Sequence, residues 1–333
     1  MAASPSLLHG GIVVPTSLNV RTFHREDRDQ LTDLINAHVA AVVPGASVSV
    51  NTVISSLERR PDEYVLDPWV AERVTLVVEH RRRIVGAAHL LRYRNDPDVG
   101  EDFRDAGSLL WSVHLPIEHD APAKAHGSAD VAAGDEEWVA DLLLSACLAQ
   151  FTRWHVRVRY ADGQLPAPGV YGVPAPWPHI STALERAGFV HTGDTEILLL
   201  APLSDLPDPA LAPPLPGLTV HRTLGTGLGI RLTARSGADD LGYVELDTSL
   251  GRPERHARPG GMADLSDFDL PDDAHPELFR WLLGQARAWL ALCGVDRVLT
   301  YAAPDESDDL ALLAAGGFRE LTRTARGWEH RPS

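Results

Sequence analysis

One order of segments occurs twice in this chain, and it constrains the fold more than any other feature. Each copy contains a β-hairpin, an apolar helix, a strand, a short helix and a Gly-Phe pair. The hairpins are predicted over 77–86 and 232–243, and the Gly-Phe pairs are Gly188-Phe189 and Gly317-Phe318. Repetition of this kind indicates two copies of one structural unit.

The C-terminal copy is the clearer one. Its first segment alternates acidic and apolar residues, which is typical of a strand with one solvated face. Pro276 suits the first turn of a helix, and Glu277 suits the positive end of its dipole. The predicted elements are a strand over 263–270, a helix from Pro276 to Gly294, a strand over 295–301 and a helix over 308–315.

The N-terminal copy is longer, and a proline-rich stretch follows it. Its predicted strands are 18–23, 75–79, 84–93, 109–115, 156–160 and 196–201, and its predicted helices are 25–40, 137–151 and 179–186. Six prolines between positions 202 and 216 indicate a stiff, extended linker. We therefore predict an N-terminal domain over 1–206, a linker over 207–217 and a C-terminal domain over 218–333.

Charge and composition exclude several classes of partner. The net charge of −16 disfavours nucleic acid and anionic membranes. No apolar run approaches the ~18 residues of a membrane span, and no secretory signal is evident. A cytoplasmic bacterial protein is expected. The two cysteines, Cys147 and Cys293, fall in apolar helical runs, so we predict that both are buried, reduced and not bonded to each other.

This order of elements, closed by Gly317-Phe318, resembles the core of the GNAT acyltransferase superfamily. The whole chain resembles tandem GNAT N-acetyltransferases of actinobacterial type, with the two-domain arrangement of mycothiol synthase. The phrases that carry this resemblance are YADG from Tyr160, GVYGVP from Gly169 and FRELTRT from Phe318. The resemblance implies an α/β (α+β) fold of two tandem GNAT-like domains. Each would be a mixed, mostly antiparallel sheet flanked by helices.

The resemblance also implies acetyl-CoA as cofactor, held in a cleft between two splayed strands. In the C-terminal unit, the matching residues are Phe268, Asp269, Leu270, Tyr301 and Ala302. The family's phosphate-binding loop carries Arg or Gln and then glycines, whereas residues 271–276 read PDDAHP. Between positions 264 and 309 the chain has eleven carboxylates and three arginines. Acetyl-CoA binding is therefore expected to be weak or lost.

The matching cleft of the N-terminal unit is formed by Ser112, Val113, His114 and Leu115. The loop that follows, over 116–137, has six acidic residues and a single lysine, Lys124, and no Gly-x-Gly. Binding of acyl-CoA is therefore less expected in this cleft than in the cleft of the C-terminal unit.

The resemblance, together with the acidic strand predicted over 263–270, indicates the candidate catalytic groups. The positions of the family's general-acid tyrosine hold Leu184 and Leu313, so Tyr160, Tyr171 or Tyr301 would have to replace it. We select Tyr301 as the general acid and Asp267 and Asp269 as bases that accept the amine proton, with Glu245 and His114 as the alternative bases. Glu245 and Asp264 are the candidate substrate-binding residues, because a cationic amine needs carboxylates. The alternative for the acidic strand is a solvated face.

The sequence leaves alternatives open for metal binding and for function. His114, Glu118, His119 and His126 could ligate zinc, but their spacing is irregular and no metal site is predicted. The favoured function is an N-acyltransferase that moves an acetyl or acyl group from acyl-CoA to an amine of a small cationic molecule. The alternatives are a GNAT-fold protein that binds a small molecule, or has repurposed chemistry, without acyl-CoA, and a scaffold for a homodimer.

Overall fold

The computed structural model describes residues 18–58, 67–115, 130–167, 170–226, 229–248, 261–271 and 276–331. Within these ranges the chain forms two β-sheets flanked by helices. In this part of the chain, no helix has the length and apolar character needed to cross a membrane.

Every element predicted above is present, and β2 and α3 begin earlier than predicted. The first half contains β1 (Leu18–Thr22), α1 (Arg28–Val42), α2 (Val50–Leu57), β2 (Val70–His80), β3 (Arg83–Tyr93), β4 (Ala106–His114), α3 (Asp130–Trp154), β5 (Val158–Ala161), β6 (Val173–Pro174), α4 (Pro178–Arg186), β7 (Phe189–His191) and β8 (Thr195–Pro202). The second half contains β9 (Leu218–Leu224), β10 (Ile230–Ser236), β11 (Asp239–Asp247), β12 (Gly261–Asp269), α5 (Pro276–Leu292), β13 (Val295–Ala302), α6 (Ser307–Ala315), β14 (Arg319–Ala325) and β15 (Trp328–His330).

Helix α5 shows how the local pattern becomes structure, and it corrects one prediction. Phe279, Leu282 and Leu290 recur at helical spacing and are all fully buried. Cys293 was predicted to be buried, but it is exposed, whereas Cys147 in α3 is buried; neither is bonded. The reason is that α5 ends at Leu292, so Cys293 no longer follows the spacing that buries Leu290.

The two sheets are mixed and mostly antiparallel. The seven-stranded sheet has the order β1-β2-β3-β4-β5-β15-β7, and the eight-stranded sheet has the order β6-β14-β8-β13-β12-β11-β10-β9. Only the pairs β4/β5 and β12/β13 are parallel among the described strands. The predicted fold class is confirmed.

The sheets exchange strands, which the order of elements along the chain does not reveal. Strand β8 lies between β13 and β14, and β15 lies between β5 and β7. The predicted division of the chain at 207–217 therefore does not coincide with a division between the sheets. As a boundary between folding units, 1–206 and 218–333 stays a prediction.

Two of the crossovers between the sheets are short, and they bond to each other. One connects β7 to β8 and the other connects β14 to β15. The backbone N–H of Thr192 donates to the carbonyl of Gly327 at 2.8 Å, and the N–H of Arg326 donates to the carbonyl of Asp194 at 3.0 Å. Gly327 has φ +69°, and a Cβ there would lie 2.6 Å from Thr192 Oγ1. This position therefore requires glycine.

The eight-stranded sheet contributes to two hydrophobic cores, one on each of its sides. The first core contains α1, α3 and α4 together with the strands of the seven-stranded sheet, and it also takes in Leu198, Met262 and Leu299 from the other sheet. The second core lies under α5 and includes Leu199 and Val298. Neighbouring residues of β8 and β13 thus face opposite cores, and one side of the eight-stranded sheet packs against the N-terminal half.

Candidate functional site

Each sheet opens into a cleft where its two parallel strands separate. Strands β4 and β5 pair from Ala106↔Val158 to Leu109↔Ala161, and β4 continues without β5 over 110–114. Strands β12 and β13 pair from Gly261↔Val295 to Asp264↔Leu299, and β12 continues without β13 over 265–269. The two clefts therefore share one geometry.

A β-bulge occurs at the mouth of each cleft. In β4 the register shifts between Leu109 and Trp111, which leaves Leu110 as the extra residue. In β12 it shifts between Leu265 and Asp267, which leaves Ser266 as the extra residue. Bulges bend a strand and redirect its side chains, and they are common beside active sites.

The N-terminal cleft is partly closed by the backbone that follows β5. The N–H of Asp162 donates to the carbonyl of Leu109 at 2.9 Å, and the N–H of Gln164 donates to the carbonyl of Leu110 at 3.0 Å. Of the residues predicted to line this cleft, Ser112, Val113 and His114 are buried and Leu115 is exposed.

Three histidines gather at the end of β4. The His114 and His179 rings are 5.0 Å apart between centroids, and His38 Nε2 is 3.5 Å from His179 Nε2. Burial lowers the pKa of His38 to about 4 and that of His114 to about 3, and burial also lowers the pKa of His179. Of these three histidines, only His114 is a candidate from the sequence. The sequence signal for His38 is its position as a polar residue on the apolar face of the helix predicted over 25–40.

In the C-terminal cleft, most of the predicted residues lie on one face of the sheet. In the strand register, Glu245 of β11 lies opposite Asp267 of β12, and Asp247 lies opposite Asp264. On the other side of β12, Asp264 lies opposite Leu299 of β13, which belongs to the first core. Because side chains alternate along a strand, Asp269 and Tyr301 share this face, which we call the acidic face. Its described members are Arg231, Tyr243, Glu245, Asp247, Asp264, Asp267, Asp269 and Tyr301.

The other predicted cofactor-binding residues point toward α5. The Phe268 ring lies 5.0 Å from the Phe279 ring, and Leu270 and Ala302 belong to the second core. The Thr300 hydroxyl donates to the carbonyl of Leu265 at 2.9 Å, a contact that no local sequence pattern predicts. The gap between β12 and β13 thus has an apolar side toward α5 and a carboxylate-rich side toward the N-terminal half.

Asp264 is the least satisfied carboxylate of the acidic face. Its Oδ1 atom is buried and has no hydrogen-bond partner among the described residues. Burial, and then the neighbouring charge of Asp247, raise the pKa of Asp264 to about 7. A cation placed beside this pair would favour the ionised carboxylate.

Glu245 and Asp267 are already engaged. Glu245 is 1% exposed and forms an ion pair with Arg231 at 2.9 Å. The Arg231 guanidinium lies 3.8 Å above the centre of the Tyr243 ring, and the Tyr243 hydroxyl donates to Asp267 Oδ2 at 2.7 Å. Asp269 is exposed at the end of β12.

The candidate tyrosines occupy different places. Tyr301 and Tyr171 are in edge-to-face contact, with ring centroids 4.9 Å apart, so the structure brings together two of the three candidates. The Tyr160 hydroxyl instead donates to the carbonyl of Asp102 at 3.2 Å. Leu184 and Leu313 are buried core residues.

Several predicted features lie outside the described residues. Glu118, His119 and His126 do, and so do Asp272 and Asp273 of the loop at the family's phosphate-binding position.

Comparison with known proteins identifies the fold. No protein-family model matches the chain, and no curated protein does. A tandem GNAT protein from the clavulanic acid biosynthesis pathway is 17% identical; the match covers 95% of this chain and 99% of that one, with a TM-score of 0.56. A GCN5-related N-acetyltransferase from Sphaerobacter thermophilus is 12% identical over 96% of this chain and 98% of that one, with a TM-score of 0.57. These likenesses extend over both sheets, and the chain has the tandem GNAT fold.

Proposed function

We propose that this protein is an N-acyltransferase that moves an acetyl or other acyl group from acyl-CoA to an amine of a small cationic molecule. The observation that carries the proposal is the opening between β12 and β13 beyond Asp264 and Leu299. Over 265–269, one edge of β12 pairs with β11, and the other edge faces this opening. Free strand edges can hydrogen-bond the amide groups of a pantetheine arm.

The acyl donor is assigned to the gap bounded by 268–270 and 301–302. Phe268, Leu270 and Ala302 supply its apolar side, and the backbone of Asp269 and Tyr301 supplies hydrogen-bonding groups. The strand edges and apolar wall fit a pantetheine chain. The acidic character of the chain around this cleft does not favour the phosphates, so weak binding is expected.

The acceptor is assigned to the acidic face. Asp264, beside Asp247, would hold the cationic group of the acceptor, because a cation offsets both the burial and the repulsion from Asp247 that raise the pKa of Asp264. Glu245 remains the second substrate-binding candidate, but its ion pair with Arg231 leaves less free negative charge for a cationic acceptor than Asp264 offers.

The chemical step follows from these positions. The acceptor's neutral amine attacks the thioester carbonyl, an amide bond forms and the carbon–sulfur bond breaks. Asp267 or Asp269 takes the proton that the amine loses, and the Tyr301 hydroxyl donates a proton to the departing CoA thiolate. The products are an N-acylated amine and CoA.

The test is release of CoA thiol from acetyl-CoA with a panel of amines of equal size, carrying either an additional positive charge or none. We expect turnover to favour the acceptors with the additional charge. Asp264→Asn should reduce kcat/KM for those acceptors more than for the others, and Tyr301→Phe should reduce kcat. Asp33→Asn, an exposed change on α1, is the matched control. Absence of both thiol release and calorimetric acetyl-CoA binding would overturn the proposal.

A second candidate is a GNAT-fold protein that binds a cationic molecule without acyl-CoA. The observation that favours it is Asp272-Asp273 at the position where the family has arginine and glycine. Under this alternative, a saturating amine ligand raises the melting temperature and acetyl-CoA does not.

A double change separates the two candidates. If acyl-CoA enters this cleft, Asp272→Gly with Asp273→Arg should tighten its binding. The gain should shrink with added salt, because exposed charges are screened over about 8–10 Å.

A further inference from the structure

The aromatic contact between Tyr171 and Tyr301 joins the two halves of the chain at the proposed active site. Tyr171 comes from the N-terminal half, just before β6, and its ring centroid lies 4.9 Å from that of Tyr301 at an interplanar angle of 78°. We propose that Tyr171 is a positioning residue, whose ring orients the Tyr301 side chain for proton donation to the departing thiolate. This inference rests on the proposed acyl transfer and adds a residue of the N-terminal half to its site.

Strand pairing alone does not set the direction of the Tyr301 hydroxyl. The backbone of Tyr301 is held in β13 opposite Leu198 of β8, whereas its half-buried side chain projects from the sheet. A general acid has to stay within about 0.5 Å and 10–20° of its productive geometry, and packing against neighbouring side chains provides this restraint. Among the described residues, Tyr171 supplies the aromatic ring that contacts Tyr301.

The geometry of the two rings suits this role. Aromatic pairs are favourable at centroid separations of about 4.5–7 Å when the edge of one ring meets the face of the other. The rings of Tyr171 and Tyr301 meet both conditions, so a rotation of the Tyr301 ring away from this arrangement would lose the contact. The contact therefore favours one orientation of the Tyr301 ring over the others.

Tight backbone packing around Gly172 holds Tyr171 in place. Gly172 has φ +97°, and a Cβ there would lie 2.6 Å from Arg326 Cγ. A Cβ on Gly163 would lie 2.4 Å from the carbonyl carbon of Gly172. Both positions require glycine, because the backbone of Gly172 is in close contact with Gly163 and with the Arg326 side chain. The residue directly before Gly172 therefore has little freedom to move.

Contacts to both sheets anchor this packing. Strand β6 begins two residues after Tyr171 and pairs with β14 of the eight-stranded sheet. Arg326, which packs on Gly172, forms ion pairs with Glu196 of β8 at 3.0 Å and with Asp162, the residue after β5, at 3.5 Å. The position of Tyr171 beside β13 thus depends on elements of both sheets, which gives the N-terminal half a part in the C-terminal site.

Steady-state kinetics of acetyl-CoA turnover by the full chain test this role. Tyr171→Leu removes the ring and should lower kcat about three- to tenfold, which is the effect that one edge-to-face pair corresponds to. KM for acetyl-CoA should stay unchanged, because the Tyr301 backbone remains in β13. Tyr171→Phe keeps the ring and should retain the native kcat. In a Tyr301→Phe background, Tyr171→Leu should cause no further loss, because Tyr171 acts through the Tyr301 hydroxyl.

Tyr160→Leu is the matched control and should leave kcat unchanged. It also removes a half-buried tyrosine ring, but one that packs on Phe103 beside the other sheet. The role of Tyr171 alone is overturned if the native chain turns over and Tyr171→Leu matches it, or if Tyr171→Phe loses as much kcat as Tyr171→Leu. An equal loss from Tyr171→Leu with and without the Tyr301 hydroxyl would also overturn it. A native chain that neither releases thiol nor binds acetyl-CoA overturns the proposed function, and this role with it.

Discussion

The two clefts share a backbone plan and differ in nearly every side chain. Both open after four parallel residue pairs and both carry a β-bulge next to the opening. The N-terminal cleft contains buried imidazole groups and is bridged by the backbone of Asp162 and Gln164. The C-terminal cleft contains carboxylates and is bridged only by the Thr300 side chain among the described contacts. Strand pairing can thus be retained while the chemistry of the cleft changes.

The position matching Asp264 in the N-terminal cleft makes the difference concrete. Two residues before the extra residue of each bulge, the C-terminal cleft has Asp264, which opposes Leu299, and the N-terminal cleft has Ser108, which opposes Tyr160. A hydroxyl group can be buried at moderate cost, whereas a carboxylate at the same place must hold a proton or meet a cation. The C-terminal cleft therefore holds a carboxylate that a cation would stabilise, and the N-terminal cleft has a hydroxyl group at this position.

The largest expected effect comes from breaking the strand exchange. Trp328 of β15 is 3% exposed and packs in the first core, so Trp328→Ala should lower the free energy of unfolding by about 3–5 kcal/mol. Segment-resolved hydrogen exchange should show faster exchange in β5 and β7, far from position 328 in the sequence. Leu199→Ala in β8 is the counterpart and should loosen β13 and β14. Exchange that changes only next to each substitution would show that the strands do not couple the two halves.

Asp264 should weaken the fold at alkaline pH. Its pKa is about 7 in the folded chain and 3.8 in the reference state, so stability is lost as pH rises from about 4 to about 7. Asp264→Asn should therefore raise the free energy of unfolding at pH 8, by up to about 4 kcal/mol, the equivalent of three pKa units. Urea unfolding at pH 5 and pH 8 measures it. A gain of equal size at both pH values would contradict the assignment.

The histidines should weaken the fold at acidic pH. The pKa of His38 falls from 6.5 to about 4 on folding, so the stability that its neutral form provides is lost as pH drops from about 6.5 toward 4. This one group corresponds to about 3 kcal/mol. His38→Gln should flatten the dependence of unfolding free energy on pH between 7 and 5. Parallel curves for the native chain and the variant would refute this prediction.

The smallest expected effect concerns the choice of base. Tyr243→Phe removes the hydrogen bond to Asp267 on an exposed part of the acidic face, so stability should change by no more than about 1 kcal/mol. If Asp267 is the base, the pH profile of kcat/KM should shift in this variant. If Asp269 is the base, the profile should stay in place and Asp269→Asn should abolish most of the activity. An unchanged profile in Tyr243→Phe together with full activity in Asp269→Asn would remove both carboxylates from the mechanism.

Local features of this chain could be predicted from its sequence. Apolar spacing and the positions of proline and glycine located α5, β12 and β13, because helices and strands bury side chains at fixed periods. The repeated order predicted two related units with mixed sheets. The acidic face was foreseen because Asp267 and Asp269 alternate along one strand. Cys293 was misplaced because a shift of one or two residues at a helix end decides burial there.

Tertiary structure decided the rest. The sequence order places β8 with the first unit and β15 with the second, whereas hydrogen-bonded pairing places each in the other sheet. His38, His114 and His179 become neighbours only when α1, β4 and α4 pack together, and no local pattern connects them. Partners such as Arg231 for Glu245 likewise depend on strand register. The periodicity of apolar residues indicates which side of a segment faces solvent and which side faces the core. The pairing of strands and the clustering of side chains depend on contacts between distant segments, and the packing of the whole chain determines these contacts.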